Sequence, residues 1–390
     1  MKTVSVQSNR VEPNTLFVDD VFSKALYTNA NIPRIVLRRP IRQMIRCGQW
    51  NRIDLELVTE MGLPVENKEA ILLSGKIIAS QSGYYETLMT VDLRPIFIED
   101  GWETEVAHSE GFNAYSSIGG LEYRVNHTID QPFFIMLQSN NESILPLCVG
   151  PIHIGPDKEH MDTMNEQQQQ QYRAIEVKNS RFFLIKEQWE DGTPGKVWDS
   201  ALVIVNLLMK NVDMLLGKRI LDLSAGTGYI GLSLAQFFQS SDYQQKPSVV
   251  LSDIPEALDL IKVNQELNNI RPDNDHLKIE SLLWGNRRNA KNVLKTQRGE
   301  ELDIIIASDI IYRKNDFSKI VTAFQQLCTP RTTIYMGYKT RGLKPFEEKE
   351  FFDICKKPFN IQLLDCDPRT GVKLYKIKKR SRLCLKKWNK

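Results

Sequence analysis

The sequence predicts two units in tandem: an all-β, sandwich-like domain, and behind it an α/β unit built on a mainly parallel sheet with helices on both faces. Three observations predict this. Between residues 34 and 154, short runs rich in β-branched and aromatic residues alternate with turn signals, and no helical period competes with them. Beyond residue 176 the hydrophobic period switches repeatedly between strand and helix, the pattern of a doubly wound sheet. Between the two, residues 155–172 are polar and low in complexity and carry five consecutive glutamines from Gln167 to Gln171, as a spacer does. A chain of 390 residues exceeds one typical domain, so two are expected. The division that follows is a polar segment over 1–31, an all-β domain over 32–155 read as partner- or substrate-binding, a linker over 156–173, the α/β domain over 174–381 and a basic tail over 382–390.

In chain order, a short helix is expected over 21–26 and strands over 35–37, 53–58, 71–73, 87–93, 121–125, 133–137 and 149–154. No catalytic constellation stands out in this half. His108 and His127 are isolated, and Glu99, Asp100, Glu103 and Glu105 read as a solvated acidic loop rather than a metal site. A hairpin is expected over 174–177 and 181–185, then a nearly all-round apolar helix over 197–209 of the kind that packs under a sheet. After it, strands at 219–223, 248–252, 278–283, 303–307, 332–336, 361–364 and 372–377 alternate with helices at 229–238, 255–267, 316–328 and 345–355. Pro255 suits a helix start, where its missing N–H has no intrahelical partner to lose.

Composition excludes several classes. The net charge of +3 is too small to argue for nucleic acid, although the end of the chain from Lys376 is strongly basic. The six cysteines form no Cys-x-x-Cys pair and have no nearby histidine set, so neither a disulfide frame nor a metal site is expected. No stretch has the length and apolarity of a signal peptide or a membrane span. These features point to the cytoplasm, with the run from Lys376 to Arg382 as a candidate nuclear signal.

The chemistry concentrates at strand ends. Arg219-Ile-Leu-Asp-Leu-Ser-Ala-Gly-Thr-Gly-Tyr-Ile-Gly-Leu232 reads as a buried strand, a tight turn and an apolar helix, with Gly226 and Gly228 letting the backbone pass close to a ligand. The Gly-x-Gly-x-x-Gly spacing alone is shared with dinucleotide folds. Asp222, inside the strand, would repel a pyrophosphate but suits the amino and hydroxyl groups of S-adenosylmethionine. Asp253, ending the second strand, can accept both ribose hydroxyls. The third strand ends in Leu283-Trp284-Gly285, offering an indole for a flat base, and the fourth in Ser308-Asp309-Ile310-Ile311-Tyr312.

Val197-Trp198-Asp199-Ser200-Ala201, Leu221 to Gly228, Ser252-Asp253, Leu283-Trp284-Gly285 and Ser308 to Tyr312, in this order, resemble the seven-β-strand family 16 protein lysine methyltransferases over roughly 176–379. The resemblance does not reach the N-terminal half. It implies a Rossmann-like seven-stranded methyltransferase domain, S-adenosylmethionine as cofactor, and a lysine of a protein substrate, of chaperone or translation-factor type, as methyl acceptor. It places Trp198, Ser224, Ala225, Gly226, Asp253, Trp284 and Ser308 around the cofactor, beside Asp222 and Gly228 of the loop, and makes Asp309 and Tyr312 the catalytic pair. One departure is visible: Asp222 and Ser224 stand where the family usually has Glu and Gly. Ser224 adds bulk at the cofactor loop, and it is the one feature favouring a different reading, a catalytically weak or inactive scaffold. A third reading is methylation of a small molecule or a nucleic acid, of which base amino-group methylation is disfavoured because Asp309-Ile-Ile-Tyr312 stands in place of an Asn-Pro-Pro-Tyr-like element.

Overall fold

Strict alternation shapes the first half of the chain. In the strand Trp50–Val58, Ile53, Leu55 and Leu57 are buried while Arg52, Asp54 and Glu56 turn outward, the period-2 pattern of a sheet with one dry face. The computed structural model describes residues 32–81, 83–96, 110–141, 143–155, 170–178, 180–239, 241–271, 276–296 and 301–381. The expected helix at 21–26, the acidic loop with His108, most of the linker and the basic tail from residue 382 lie outside these residues.

Ten strands come first: β1 (Arg34–Leu37), β2 (Met44–Ile45), β3 (Trp50–Val58), β4 (Ile71–Gln81), β5 (Tyr84–Thr90), β6 (Asp92–Arg94), β7 (Gly111–Phe112), β8 (Ile118–Arg124), β9 (Phe133–Ser139) and β10 (Leu147–Ile154). The expected hairpin follows as β11 (Gln171–Lys178) and β12 (Arg181–Glu187). Its pairing was not expected. β11 lies antiparallel to β10 and β12 antiparallel to β5, so the hairpin belongs to the N-terminal sheet. The boundary expected at residue 174 therefore falls inside a hairpin that hydrogen-bonds backwards, and β11 begins within the stretch read as linker. The pairings β4–β5, β5–β12, β12–β11, β11–β10, β10–β9 and β9–β4 close a six-stranded antiparallel ring. Every strand of the ring contributes to one apolar cluster of Ile78, Tyr85, Phe134, Met136, Cys148, Tyr172, Ala174, Phe182 and Leu184, which fills its interior. A second core lies between the outer face of β4, β9 and β10 and the neighbouring strands β1, β3 and β8.

The second half is a seven-stranded sheet of β13 (Arg219–Leu223), β14 (Ser248–Asp253), β15 (Leu277–Ser281), β16 (Ile304–Ser308), β17 (Thr333–Tyr338), β18 (Phe359–Cys366) and β19 (Lys373–Lys379). Their order is β15-β14-β13-β16-β17-β19-β18, parallel except for β19. The helices are α1 (Asp199–Lys210), α2 (Tyr229–Gln239), α3 (Leu258–Leu267), α4 (Arg287–Thr296), α5 (Phe317–Leu327) and α6 (Pro345–Lys356). One core packs α1, α2 and α3 on one face, and the other packs α4, α5 and α6 on the opposite face. Helix α4 was not expected from the sequence, because its only buried residues are Ala290 and Val293 and its other positions are mostly basic or polar. Strand order reverses at β13, with β14 on one side and β16 on the other, so a crevice opens at the carboxyl ends of these three strands.

The two halves meet along α3. Buried Asn264 of α3 and Asn268 just past its end satisfy the backbone of β12: the Asn268 side chain accepts from Leu184 N at 2.8 Å and donates to Leu184 O at 2.6 Å, while Asn264 accepts from Lys186 N at 2.7 Å. Leu267 packs against the interior of the ring, and the Tyr85 hydroxyl donates to Leu267 O at 2.9 Å.

Candidate functional site

The turn after β13 is built by backbone conformation. Gly226 has φ +57°, and a Cβ there would stand 3.2 Å from Pro194 O. Its N–H donates to Asp253 Oδ2 at 2.8 Å, tying the first strand end to the second. Gly231 packs α2 onto the sheet so closely that a Cβ would meet Leu251 at 2.7 Å, and its N–H donates to Asp222 Oδ2 at 2.9 Å. Ser224 occupies the left-handed region at φ +63°, where glycine is the low-cost residue. Its hydroxyl accepts the Trp284 indole N–H at 2.9 Å. The side chain that seemed to add bulk thus fixes the orientation of the indole.

A cavity of about 500 Å³ opens at these strand ends. Trp198, Asp222, Ser224, Ala225, Gly226, Asp253, Trp284, Ser308, Asp309 and Tyr312 all line it. Gly228 does not. It lies beneath the loop at φ +81°, where a Cβ would crowd Leu232, Ile261 and Leu251 at 3.0 to 3.2 Å. Thr193, Pro194 and Lys196, from the segment before α1, close the cavity on the side sequence reasoning did not reach. Ile254, Leu283 and Tyr312 are exposed apolar residues of its lining.

The wall is acidic and incompletely paired. Burial pushes the Asp222 carboxyl up to about 7, the Gly231 N–H opposes the shift, and the neighbouring Asp253 adds to it. Asp222 Oδ1 is buried without a hydrogen-bond partner, and so is the Ser308 hydroxyl. Burial also raises Asp253, against the N–H groups of Gly226 and Ile254. Each of the two Asp253 oxygens accepts one backbone N–H, leaving further lone pairs for a ligand's hydroxyls.

Asp309 is held from several sides. It follows β16 at φ +54°, its N–H donates to Gly337 O at 3.0 Å, and its carboxylate accepts the Ser200 hydroxyl at 2.6 Å. The same carboxylate takes both terminal nitrogens of Arg341, Nη2 at 2.9 Å from Oδ2 and Nη1 on Oδ1. Burial pushes Asp309 up, and the Arg341 guanidinium pulls against it. Arg341 also lies 5.0 Å over the Trp198 ring. Tyr312 stands edge-on to Trp284 with ring centroids 6.2 Å apart, and burial raises its hydroxyl above the ordinary value, so it stays protonated near neutrality.

Sequence reasoning missed the cations and the N-terminal acid around Asp309. Behind it runs a buried network of three cations and three carboxylates: Arg34, Lys339 and Arg341 with Glu60, Asp199 and Asp309. Glu60 accepts Arg341 Nε at 2.8 Å and Nη2 at 3.0 Å, and Lys339 bridges Glu60 at 3.2 Å and Asp199 at 2.7 Å. Burial works against ionisation of Glu60, but Arg341, Lys339 and Arg34 together hold its carboxyl far below the usual range. Lys339 follows β17 directly and Arg341 stands two residues further on, at a strand end the sequence reading did not include in the crevice. Arg34 and Glu60 come from the other half of the chain, and no local pattern announces them.

Comparison with known proteins places this half of the chain. A protein family described as lysine methyltransferase matches residues 177–358. EEF1A lysine methyltransferase 3 of Mus musculus is 28% identical over 190 residues, covering 48% of this chain and 74% of its own length. Protein N-lysine methyltransferase METTL21A of Mus musculus is 26% identical over 201 residues, covering 50% and 83%. S-adenosylmethionine is the cofactor of this half, and the residues present fit it. The orphaned Asp222 oxygen suits an ammonium, Asp253 suits a pair of hydroxyls, Trp284 offers an aromatic face, and Ala225 and Gly226 bring the loop to the cavity wall.

Proposed function

From the match of residues 177–358 to the lysine methyltransferases and the cavity at the ends of β13, β14 and β16, we propose that this methyltransferase acts on a lysine side chain of a protein substrate, an abundant translation factor or chaperone fitting the relatives' chemistry. The observation that carries the reading is Tyr312, partly exposed, standing with Trp284 and Leu283 in the lining of the cofactor cavity and beside the locked Asp309. S-adenosylmethionine, when bound, supplies an electrophilic methyl group on a sulfonium. The chain's own residues must deliver a neutral, aligned amine, since a free lysine is charged near neutral pH. Leu283 and Ile254 give the lysine's methylene stem an apolar path, and desolvation among Tyr312 and Trp284 lowers the amine's pKa. The ring of Tyr312 attracts the ammonium that develops, and its protonated hydroxyl can orient the nitrogen.

Asp309 is unsuited to be a general base. Both of its oxygens already accept from Arg341, one also from Ser200, so neither is free to turn toward the amine. Its role in this reading is to fix the turn from β16 to Tyr312. Asp309→Ala and Tyr312→Ala should each abolish or cut methyl transfer into protein by at least about a hundredfold while leaving S-adenosylmethionine affinity nearly unchanged. Full transfer by either variant would remove that residue from the mechanism. The scaffold alternative rested on Ser224, whose side chain is occupied in holding Trp284 beside a cavity that remains open.

A further inference from the structure

We propose that Glu60, contributed by the N-terminal sheet, is a positioning residue for methyl transfer: it holds Arg341 in the plane from which Arg341 holds Asp309. The inference rests on the reading of the cavity as the methyl-transfer site. Glu60 does not line that cavity and neither does Arg341, so Glu60 acts through the guanidinium and never on substrate.

The geometry is specific. A guanidinium paired along one edge can pivot about that pair, whereas one paired along two adjacent edges has a fixed plane. Arg341 gives Nε and Nη2 to Glu60 and Nη1 and Nη2 to Asp309, so both edges are taken and Nη2 is shared. Glu60 is itself fixed from behind by Lys339 at 3.2 Å, by Arg34 at 3.8 Å and by the Asp199 N–H at 2.9 Å. Asp199 opens α1, directly after Trp198, and Ser200 beside it donates to Asp309. The chain from Arg34 through Glu60 and Arg341 to Asp309 therefore braces the turn that carries Tyr312, and it also sets the cation over the Trp198 ring.

Arg34 and Glu60 both precede residues 177–358, the span shared with the lysine methyltransferases. The N-terminal half thus supplies part of the site's support. A merely structural Glu60 would close the junction between the halves without bearing on the chemistry, and the two roles separate by experiment.

The test uses the full chain, tritiated S-adenosylmethionine and a lysate of the source cells as methyl acceptor. In Glu60→Gln, the rate at saturating cofactor should fall at least about tenfold, the loss expected when a reacting group is displaced by a fraction of an ångström. The KM for the cofactor and its calorimetric Kd should stay at wild-type values. Amide hydrogen exchange of residues 308–313 should quicken. Glu60→Asp, which keeps the charge but withdraws it by one methylene, should recover part of the rate. Tyr85→Phe, which removes another hydrogen bond between the halves far from Asp309, should keep the full rate. Wild-type rate and wild-type exchange at 308–313 in Glu60→Gln would overturn the proposal. If that variant does not fold, Glu60→Asp decides by the same two readouts. If the wild-type chain itself transfers no methyl, the methyltransferase reading fails separately, and the exchange comparison still decides whether Glu60 holds the turn.

Discussion

Replacing Asp222 by Asn should stabilise the cofactor-free protein above neutral pH while weakening its hold on S-adenosylmethionine. Asp222 is fully buried, accepts one N–H from Gly231 and leaves Oδ1 without a partner, and its carboxyl is raised from 3.8 to about 7. A carboxyl raised in the folded state binds more protons there than in the unfolded chain between pH about 4 and about 7. Its contribution is therefore fully present below the unfolded value and is lost as pH rises through 7. Three pKa units at about 1.4 kcal/mol each set an upper bound of about 4 kcal/mol on that loss. Asparagine keeps the acceptor for Gly231 and carries no charge, so Asp222→Asn should flatten the decline and gain about 2–4 kcal/mol at pH 8. The cofactor brings a cationic group, so its own stabilising effect on the wild type should grow over the same pH interval, and this growth should vanish in the variant. Denaturant melts from pH 5 to 8, with and without S-adenosylmethionine, measure all of this. A wild-type stability flat across that range, or an Asn variant less stable at pH 8, would mean that the Asp222 charge carries no such penalty.

Three further outcomes are expected. Ser224→Gly should leave stability within about 0.5 kcal/mol, because the left-handed strain it relieves and the indole hydrogen bond it loses are each worth about 1 kcal/mol; Ser224→Ala keeps the strain and should lose about 1 kcal/mol in denaturant melts. Both variants free the Trp284 indole and should weaken cofactor binding, and tighter binding by Ser224→Gly would mean that the hydroxyl obstructs the pocket. Asp253→Ala removes the acceptor for the Gly226 and Ile254 N–H groups as well as for ligand hydroxyls, so calorimetry should show at least about a tenfold loss of affinity; an unchanged Kd would exclude Asp253 from the cofactor site. Deleting residues 1–155 should yield a chain without cooperative melting by circular dichroism, because β11 and β12 lose β10 and β5, and Asp199, Lys339 and Arg341 lose Arg34 and Glu60. A folded, cofactor-binding fragment would contradict the joint core of the two halves.

What the sequence showed and what it hid divide along a physical line. Strands β13, β14 and β16 are continuous apolar runs ending in chemically distinctive residues, so Asp222, Asp253 and Asp309 could be placed at one crevice before any coordinates were known. Alternation likewise exposed most strands of the first half. Strand pairing is not local, and nothing within residues 171–187 says that the hairpin would close a ring with β10 and β5. Helix α4 escaped because two buried residues make too narrow an apolar stripe to register. The ion network escaped for a third reason. Arg34 and Glu60 look like ordinary surface charges in sequence, and only the approach of β1 and β3 to α1 and the end of β17 makes them partners of Asp199, Lys339 and Arg341.

One labelling measurement decides whether this cavity directs a methyl group onto a protein lysine. The full chain is incubated with tritiated S-adenosylmethionine and a lysate of the source cells, and the labelled protein is hydrolysed to amino acids and chromatographed. Label is expected in a discrete protein band that elutes as methylated lysine, absent with Tyr312→Ala. Label in nucleic acid, in a small molecule or in another amino acid would contradict transfer to a protein lysine.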